Sequence, residues 1–414
     1  NDTTGNITNS TAMSSTGTTG SNIGIYSAGT VTNSGNITFT GGKGNVGVYS
    51  TNSGTITNSG AITLGASTTT ERSIGAVANI GIIHNTGNIV INGQYGLGLY
   101  STGVASVINN GADITLTGDE TIGAYGTGGS KINLNSGTIT LTGNKAMGYY
   151  LGNGTGSTIA SGAKIDVTGN EANGVYVNTG SLTYAGETKV IGDAAYGLIV
   201  DGSSTVNATG GKVIIGGTSG INGSSSGANT SRGAAGLVVT SGSTLSGNNL
   251  DVVADVSGEN SVGVYSANGA NSTTEIGDGT ANSATLTVTN GGVGLYADAG
   301  STQTLKGLNS TVSGTNTAGS ILFYNIPSAT GGTAGKFDLS NNPGSAAVGD
   351  YSYAFYTNKN IFTGGNTAFA QFLNDWVNTG TGNGINLAMS SSSSLLLADV
   401  TNASNKDIAF TDIV

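Results

Sequence analysis

Seven times this chain spells an aliphatic or apolar residue, glycine, a second apolar residue and tyrosine. The copies are Ile23-Gly24-Ile25-Tyr26, Val46-Gly47-Val48-Tyr49, Leu97-Gly98-Leu99-Tyr100, Ile122-Gly123-Ala124-Tyr125, Met147-Gly148-Tyr149-Tyr150, Val262-Gly263-Val264-Tyr265 and Val293-Gly294-Leu295-Tyr296. Degenerate copies sit at Ile74-Gly75-Ala76-Val77, Gly174-Val175-Tyr176, Gly197-Leu198-Ile199, Gly236-Leu237-Val238, Leu322-Phe323-Tyr324 and Ala354-Phe355-Tyr356. A fixed period of about 20–50 residues signals a repeat architecture in which no single unit can bury its own apolar face. A structural or binding role is therefore expected ahead of catalysis.

Within residues 23–46 the phrase is followed by Thr30-Val31-Thr32-Asn33 and by Asn36-Ile37-Thr38-Phe39-Thr40, with Gly29, Gly35 and Gly41 at the corners. Three short period-two segments separated by glycine corners make one coil of three strands. Equivalent strands of successive coils would pair in parallel. The coils are too long for hexapeptide-built left-handed solenoids, and parallel crossovers favour the right hand. The fold expected is all-β, a right-handed parallel β-helix of about thirteen coils.

Composition agrees with that class. The chain has 414 residues, 73 of them Gly and only 2 Pro, with Thr and Ser alternating against aliphatics in strand fashion. The formal net charge is −10, and the Lys and Arg residues are scattered without a basic cluster, so no nucleic-acid footprint exists. No apolar stretch approaches the ~20 residues of a membrane helix. Cysteine is absent, which excludes disulfides and thiolate metal sites and suits export of an unfolded chain. The opening Asn1-Asp2-Thr3 carries no leader pattern, so any secretion signal is expected to have been removed.

Two ladders follow from stacking the coils. Asn33, Asn58, Asn85, Asn109 and Asn135 share a corner, where stacked amides can hydrogen-bond from coil to coil. Strand parity puts Ile25 or Val48 inside with the residue two before it, and Tyr26 or Tyr49 outside with Gly24 or Gly47 as its bare neighbour. A parity break at a corner would instead turn the rings inward. If outside, they form an aromatic stripe of a kind enriched at interfaces.

Where the spacing stretches, a loop should leave the scaffold. Gly197 to Gly236 spans 39 residues, with the surplus in the Gly/Ser-rich run from Gly216 to Gly233 that includes Asn222, Asn229 and Arg232. Gly263 to Gly294 spans 31, with the surplus at 267–283 including Glu275 and Asp278. A lesser swelling, Gly65 to Ser73, carries Glu71 and Arg72. Loops on a rigid scaffold commonly carry recognition. After about Asn325 the texture changes, dividing the chain into a β-helical part, 1–325, and a C-terminal end and cap, 326–414. Phe369, Phe372, Leu373 and Trp376 mark one face of a short helix near 367–377.

Catalysis finds little support. Glycoside hydrolysis needs two carboxylates held about 5–9 Å apart. Asp119, Glu120, Asp166, Glu171, Asp251, Asp255 and Glu259 show no repeated pairing. The single histidine, His84, takes a position where other coils have an outward Thr. No enzyme activity, cofactor or metal is expected.

The Gly-Val-Tyr-Ser phrase at 47–50, with Thr-Val-Thr-Asn-Ser-Gly-Asn-Ile-Thr at 30–38, resembles the passenger repeats of fusobacterial autotransporter adhesins. The likeness covers about residues 5–300. It implies a type V secreted, surface-displayed passenger whose membrane contact runs only through a C-terminal translocator barrel not present in this sequence. It further implies a monomeric rod that binds a host-cell protein receptor, of CEACAM type in the leading case. An inert spacer section of a longer stalk is the first alternative, and a polysaccharide-active β-helix enzyme the second. The residues singled out as candidate receptor contacts are Tyr100, Tyr125, Tyr150 and Tyr176 on the stripe, and Asn222, Asn229, Arg232, Glu275 and Asp278 on the insertions.

Overall fold

In the computed structural model every regular element among the described residues is a β-strand, and all the strand pairings are parallel. The structure describes residues 5–65, 67–218, 233–248, 250–257, 261–267, 272–280, 283–289, 291–298, 300–315, 319–325, 336–339, 344–357, 377–378, 386–392 and 394–398. The chain forms a parallel β-solenoid with three strands to a turn. It divides into two compact units, Asn1–Ile191 and Gly192–Val414.

In the first unit seven turns begin on the glycine-centred phrase, six of them with its tyrosine, on first-face strands Ile23–Ser27, Val46–Thr51, Ile74–Asn79, Leu97–Thr102, Ile122–Thr127, Met147–Gly152 and Asn173–Asn178. The second and third faces follow, as in Thr55–Asn58 and Ile62–Leu64. In Lys131–Thr142 and Ser157–Thr168 one continuous strand covers both of those faces, with a register shift between Leu134 and Ser136. The second unit contains six three-strand turns among its described strands, the first opening at Tyr196–Asp201, and one further first-face strand, Ser394–Ala398. Parallel stacking continues past Asn325, where Tyr353–Thr357 pairs with Ser394–Ala398. The helix expected near 367–377 lies outside the described residues except for Val377, which is in the strand Val377–Asn378.

The interior is built by the period-two alternation. Val31, Ile56, Ile83, Ile108 and Ile132 align in register on the second face, and all are buried. Ile37, Ile62, Ile89, Ile114, Ile139 and Ile165 form the corresponding column on the third. Burial of such a side chain contributes roughly 1.5–3 kcal/mol. Each turn gains it only because its neighbours cover it.

The conserved glycine of the phrase corrects the parity expected from sequence. Gly47 does not share the outer face with Tyr49. A Cβ on Gly47 would lie 2.6 Å from Ile62 Cγ2, in the core, and 2.5 Å from the carbonyl oxygen of Gly75 on the next turn. The same double contact recurs at Gly75, Gly98, Gly123 and Gly148, with β-branched partners Ile89, Ile114, Ile139 and Ile165. Glycine and the residue after it therefore both face inward, and the residue before it faces out. Ile23 is 47% exposed, where simple alternation puts it inside beside Ile25. None of these glycines needs a left-handed backbone; the requirement is space.

The asparagine ladder exists with a different membership. Asn9, Asn33, Asn58 and Asn85 each donate through Nδ2 to the Oδ1 of the next member, at 2.7–2.8 Å, and the series ends on Asn110 rather than Asn109. Each Nδ2 also donates to a backbone carbonyl two residues on, such as Gly35, Gly60 and Gly87. From Asn33 to Asn110 these side chains are essentially fully buried, so their hydrogen bonds replace lost water. Asn109 faces outward, near His84 and Asn133. Asn135 is also exposed; the residue in register with Asn110 is the buried Leu134, which ends the polar ladder. Ile159 and Tyr184 continue that column as apolar side chains.

Two phenols lie wholly inside the first unit. Tyr149 donates its hydroxyl to the carbonyl of Ile132 at 2.9 Å, and burial pushes the ionisation of both Tyr149 and Tyr184 far above the ordinary phenol range. Because their folded-state pKa is raised, the neutral form is favoured in the fold. That stabilisation is fully present below the unfolded phenol pKa of about 10 and is lost as pH rises above it. Urea denaturation midpoints should therefore be flat from pH 7 to 9 on this account and fall above pH 10. Tyr149→Phe with Tyr184→Phe should flatten that fall, and an unchanged alkaline profile in the double variant would count against the assignment.

Candidate partner-binding face

The parity break at glycine gives the first face two outward columns. One is the tyrosine column, whose rings stand outside and are mostly half-exposed; Tyr26 is 55% exposed. In the first unit Tyr26 and Tyr49 stack at 5.2 Å between centroids, Tyr100 and Tyr125 lie 5.7 Å apart with planes tilted by 43°, and Tyr125 and Tyr150 stack at 4.8 Å with planes only 13° apart. Tyr150 meets Tyr176 edge-to-face at 5.4 Å. Four of the sequence-selected residues, Tyr100, Tyr125, Tyr150 and Tyr176, therefore form one continuous row.

Val77 interrupts the column, in register with both Tyr49 and Tyr100. There the Tyr49 hydroxyl turns to its neighbour's turn and accepts a hydrogen bond from Asn79 Nδ2 at 3.0 Å. In the second unit Tyr265, Tyr296 and Tyr324 form a shorter row at 4.8 Å spacings, while Ile199 and Val238 hold the equivalent positions before it.

The other outward column is Ile23, Val46, Ile74, Ile122 and Met147, one residue before each glycine, interrupted at Leu97, which is in register but buried. Sequence alternation assigned this column to the core. The signal that could have found it is the invariant glycine, which resets the inside–outside count. No first-face strand of the first unit contains a charged residue. Charges lie on the turns and on the other faces, as in the Lys164–Glu187 pair at 3.9 Å.

Ring contacts decide what this row presents. Tyr125 and Tyr150 cover each other's faces, while the tilted Tyr100 and the edge-on Tyr176 contact flank them, so the row mixes ring edges, part-open faces and phenolic hydroxyls. Burial, and then the neighbouring phenols of Tyr150 and Tyr100, raise the ionisation of Tyr125, with the Arg72 guanidinium opposing. The hydroxyl thus stays protonated at neutral pH and offers both a donor and acceptor lone pairs. Arg72 belongs to the swelling at Gly65–Ser73; its guanidinium lies 5.7 Å above the Tyr95 ring and donates to the Tyr95 carbonyl at 3.3 Å.

The insertion residues divide. Asn222, Asn229 and Arg232 lie outside the described residues. Glu275 is not on an extruded loop: Thr273–Ile276 is a second-face strand paired with Thr302–Leu305, and the Glu275 carboxylate meets Lys306 Nζ at 3.1 Å. Asp278 is on an exposed turn, where its carboxylate accepts from the Thr280 hydroxyl and backbone N–H at 2.7 and 2.8 Å. Those bonds hold its carboxyl below the usual range. Glu275 and Asp278 both belong to the second unit. Other carboxylates serve the backbone: Asp113 accepts from Thr138 N–H and Asp119 from Asn144 N–H, each at 2.8 Å across one turn. Among the described residues no group of three metal-capable side chains converges.

No family description matches this chain, and no curated protein matches it. Among solved structures, a hyperglycosylated fragment of TibA spanning residues 55–350, produced with TibC, aligns over 76% of this chain and 100% of its own. Identity is 16% and the TM-score 0.23, values at which the likeness says nothing about function.

Proposed function

We propose that this chain is an exported, surface-displayed passenger that acts in adhesion, with the tyrosine face as its contact surface for a protein partner. The observation that carries this reading is the segregation of the first unit's surface. The first-face strands carry no charged residue over seven turns and present half-exposed tyrosines beside aliphatic side chains, on a scaffold fixed by buried ladders, while charge lies on turns and the other two faces. Aromatic and aliphatic side chains gathered at the surface on one uncharged face suit a contact with another protein. The resemblance of the repeats to fusobacterial passengers supports cell-surface display and a host receptor of CEACAM type. The same features support a non-enzymatic role.

Attachment of the purified chain to host cells, and to a panel of receptor ectodomains, tests this. Replacing Tyr100, Tyr125 and Tyr150 together by Ala should weaken attachment about tenfold or more, the scale of aromatic hot spots. Circular dichroism should show the strands retained. Full attachment by a folded triple variant would remove the face from consideration, and loss on deleting 219–232 instead would move the contact to that insertion.

A further inference from the structure

We propose that Tyr125 and Tyr150 form a site of oxidative coupling, where a one-electron oxidant of the peroxidase type joins the two rings by a carbon–carbon bond. The bond staples one turn of the solenoid to the next. This inference stands apart from the partner-binding reading and does not depend on it.

Register and ring contact bring the reacting carbons together. Parallel pairing sets Tyr125 directly against Tyr150 on adjacent turns. Their centroids lie 4.8 Å apart with planes 13° from parallel, closer and flatter than the Tyr26–Tyr49, Tyr100–Tyr125 and Tyr150–Tyr176 contacts. Beside Tyr150 the strand is bare. A Cβ on Gly152 would lie 2.7 Å from Tyr150 Cε1 and 2.9 Å from its hydroxyl oxygen, so the ring lies over the glycine. The neighbouring turns carry Thr127 and Asn178 at that register position. Cε1 is one of the two carbons beside the phenol oxygen, where a phenoxyl radical carries ring spin and forms new bonds.

The chemistry balances with peroxide as the oxidant. Each phenol gives up one electron and one proton to become a phenoxyl radical. The two radicals combine through one Cε–Cε bond. The hydrogen on each joined carbon then passes through water to the oxygen of its own ring, which restores two phenols. The pair has lost two hydrogen atoms in all, and one hydrogen peroxide, turned over by the peroxidase, takes them up as two waters. Both rings are half-exposed, so the oxidant can reach them and the released protons can leave to solvent. Tyr149, next in the chain to Tyr150, is wholly buried with its hydroxyl on the Ile132 carbonyl and is spared.

The outer rings of the row feed this pair. Tyr100 lies 5.7 Å from Tyr125 and Tyr176 lies 5.4 Å from Tyr150, so a radical formed on either can be exchanged inward. Those contacts are tilted by 43° and set edge-on at 86°, and coupling there requires the rings to reorient first. The chain has no cysteine, hence no thiol to consume the oxidant and no disulfide to bridge its turns. A bond between adjacent turns restricts the unfolded chain in the way a disulfide does, and so stabilises the fold.

Treatment of the dilute whole chain with a haem peroxidase and hydrogen peroxide tests the proposal. The product expected is a chain still monomeric in size that shows dityrosine fluorescence. Trypsin cuts after Arg72, Lys131, Lys145 and Lys164, so the digest should join peptide 73–131 to peptide 146–164 at two hydrogens below their summed mass. Fragment spectra should place the bond on Tyr125 and Tyr150. The oxidised chain should unfold at higher urea than the untreated one. Tyr125→Phe or Tyr150→Phe, each keeping a ring in the stack, should abolish the joined peptide. Gly152→Thr keeps both tyrosines but fills the space under the Tyr150 ring, and should cut the yield several-fold. Circular dichroism checks that each variant keeps its strands. No dityrosine, cross-links found only between chains, or a joined peptide that persists in either phenylalanine variant overturns the proposal. A yield unchanged in Gly152→Thr overturns the geometry on which it rests.

Discussion

Gly123→Ala should unfold this protein at markedly lower denaturant than the wild type, although it adds a single methyl group. The new Cβ would lie 2.4 Å from Ile139 Cγ2 and 2.5 Å from the carbonyl oxygen of Gly148. Neither neighbour can yield easily. Ile139 is 2% exposed and packed in the third-face column, and the Gly148 carbonyl belongs to the backbone of the next turn. Overpacking of a dense core costs about 1–3 kcal/mol, and more where backbone must move. Here the displaced backbone is itself a template for the following turn, so the disturbance passes along the stack. We expect a loss of about 3 kcal/mol at the first unit's transition, read as a shift in the urea midpoint. Gly17→Ala is the control. Its added Cβ meets only side-chain oxygens at 3.8 Å, an ordinary contact, and the midpoint should barely move. Equal midpoints for Gly123→Ala and Gly17→Ala would refute the steric account of the repeated glycine.

The second large effect concerns the buried amide ladder. In Asn58→Asp the ionised carboxylate would keep the acceptor that receives Asn33 Nδ2 but would lose both donations, to the Gly60 carbonyl and to Asn85 Oδ1. Acceptors would then face acceptors in a site closed to water. An uncompensated buried charge costs about 3–5 kcal/mol. The protonated form can still donate one bond, so the fold favours it and raises the pKa of the introduced Asp above the unfolded value of about 3.9. Stability relative to wild type is then best preserved below about pH 4 and declines as pH rises through the raised folded pKa. Thermal melts of Asn58→Asp should therefore fall between pH 4 and 7 relative to wild type. Asn58→Leu should instead cost a pH-independent amount, about 1–3 kcal/mol for each polar group left without a partner. Leu134 shows that this column accommodates a leucine where the ladder ends. Parallel pH profiles for the Asp and Leu variants would show that the amides are not acting as a charge-sensitive chain.

The buried columns Val31–Ile56–Ile83–Ile108 were legible because Thr and aliphatic residues alternate, and period two leaves one way to place them. The tyrosines were legible as a repeated column, but which way their rings face depended on the parity break at the glycine. The ladder's last member was not. Val107-Ile108-Asn109-Asn110 offers two adjacent amides, and only the pairing of Ile83 with Ile108 turns Asn110 rather than Asn109 inward. A slip of one residue exchanges the two sides of a strand. Glu275 falls in a longer interval between phrases, which in sequence looks like an extruded loop, yet Thr273–Ile276 keeps its place in the second-face ladder.

The sequence by itself determined the repeat and the three-strand turn, because these depend on residues near one another in the chain, while the outward setting of the tyrosines depended on where the parity breaks. Only the tertiary structure decided why glycine recurs, which asparagine is buried, and that an aliphatic column stands beside the tyrosines. Each of those depends on atoms brought together from about 15 or 25 residues away, across a turn or onto the next one. Gly123, Ile139 and Gly148 meet in space with nothing in their local sequence to announce it.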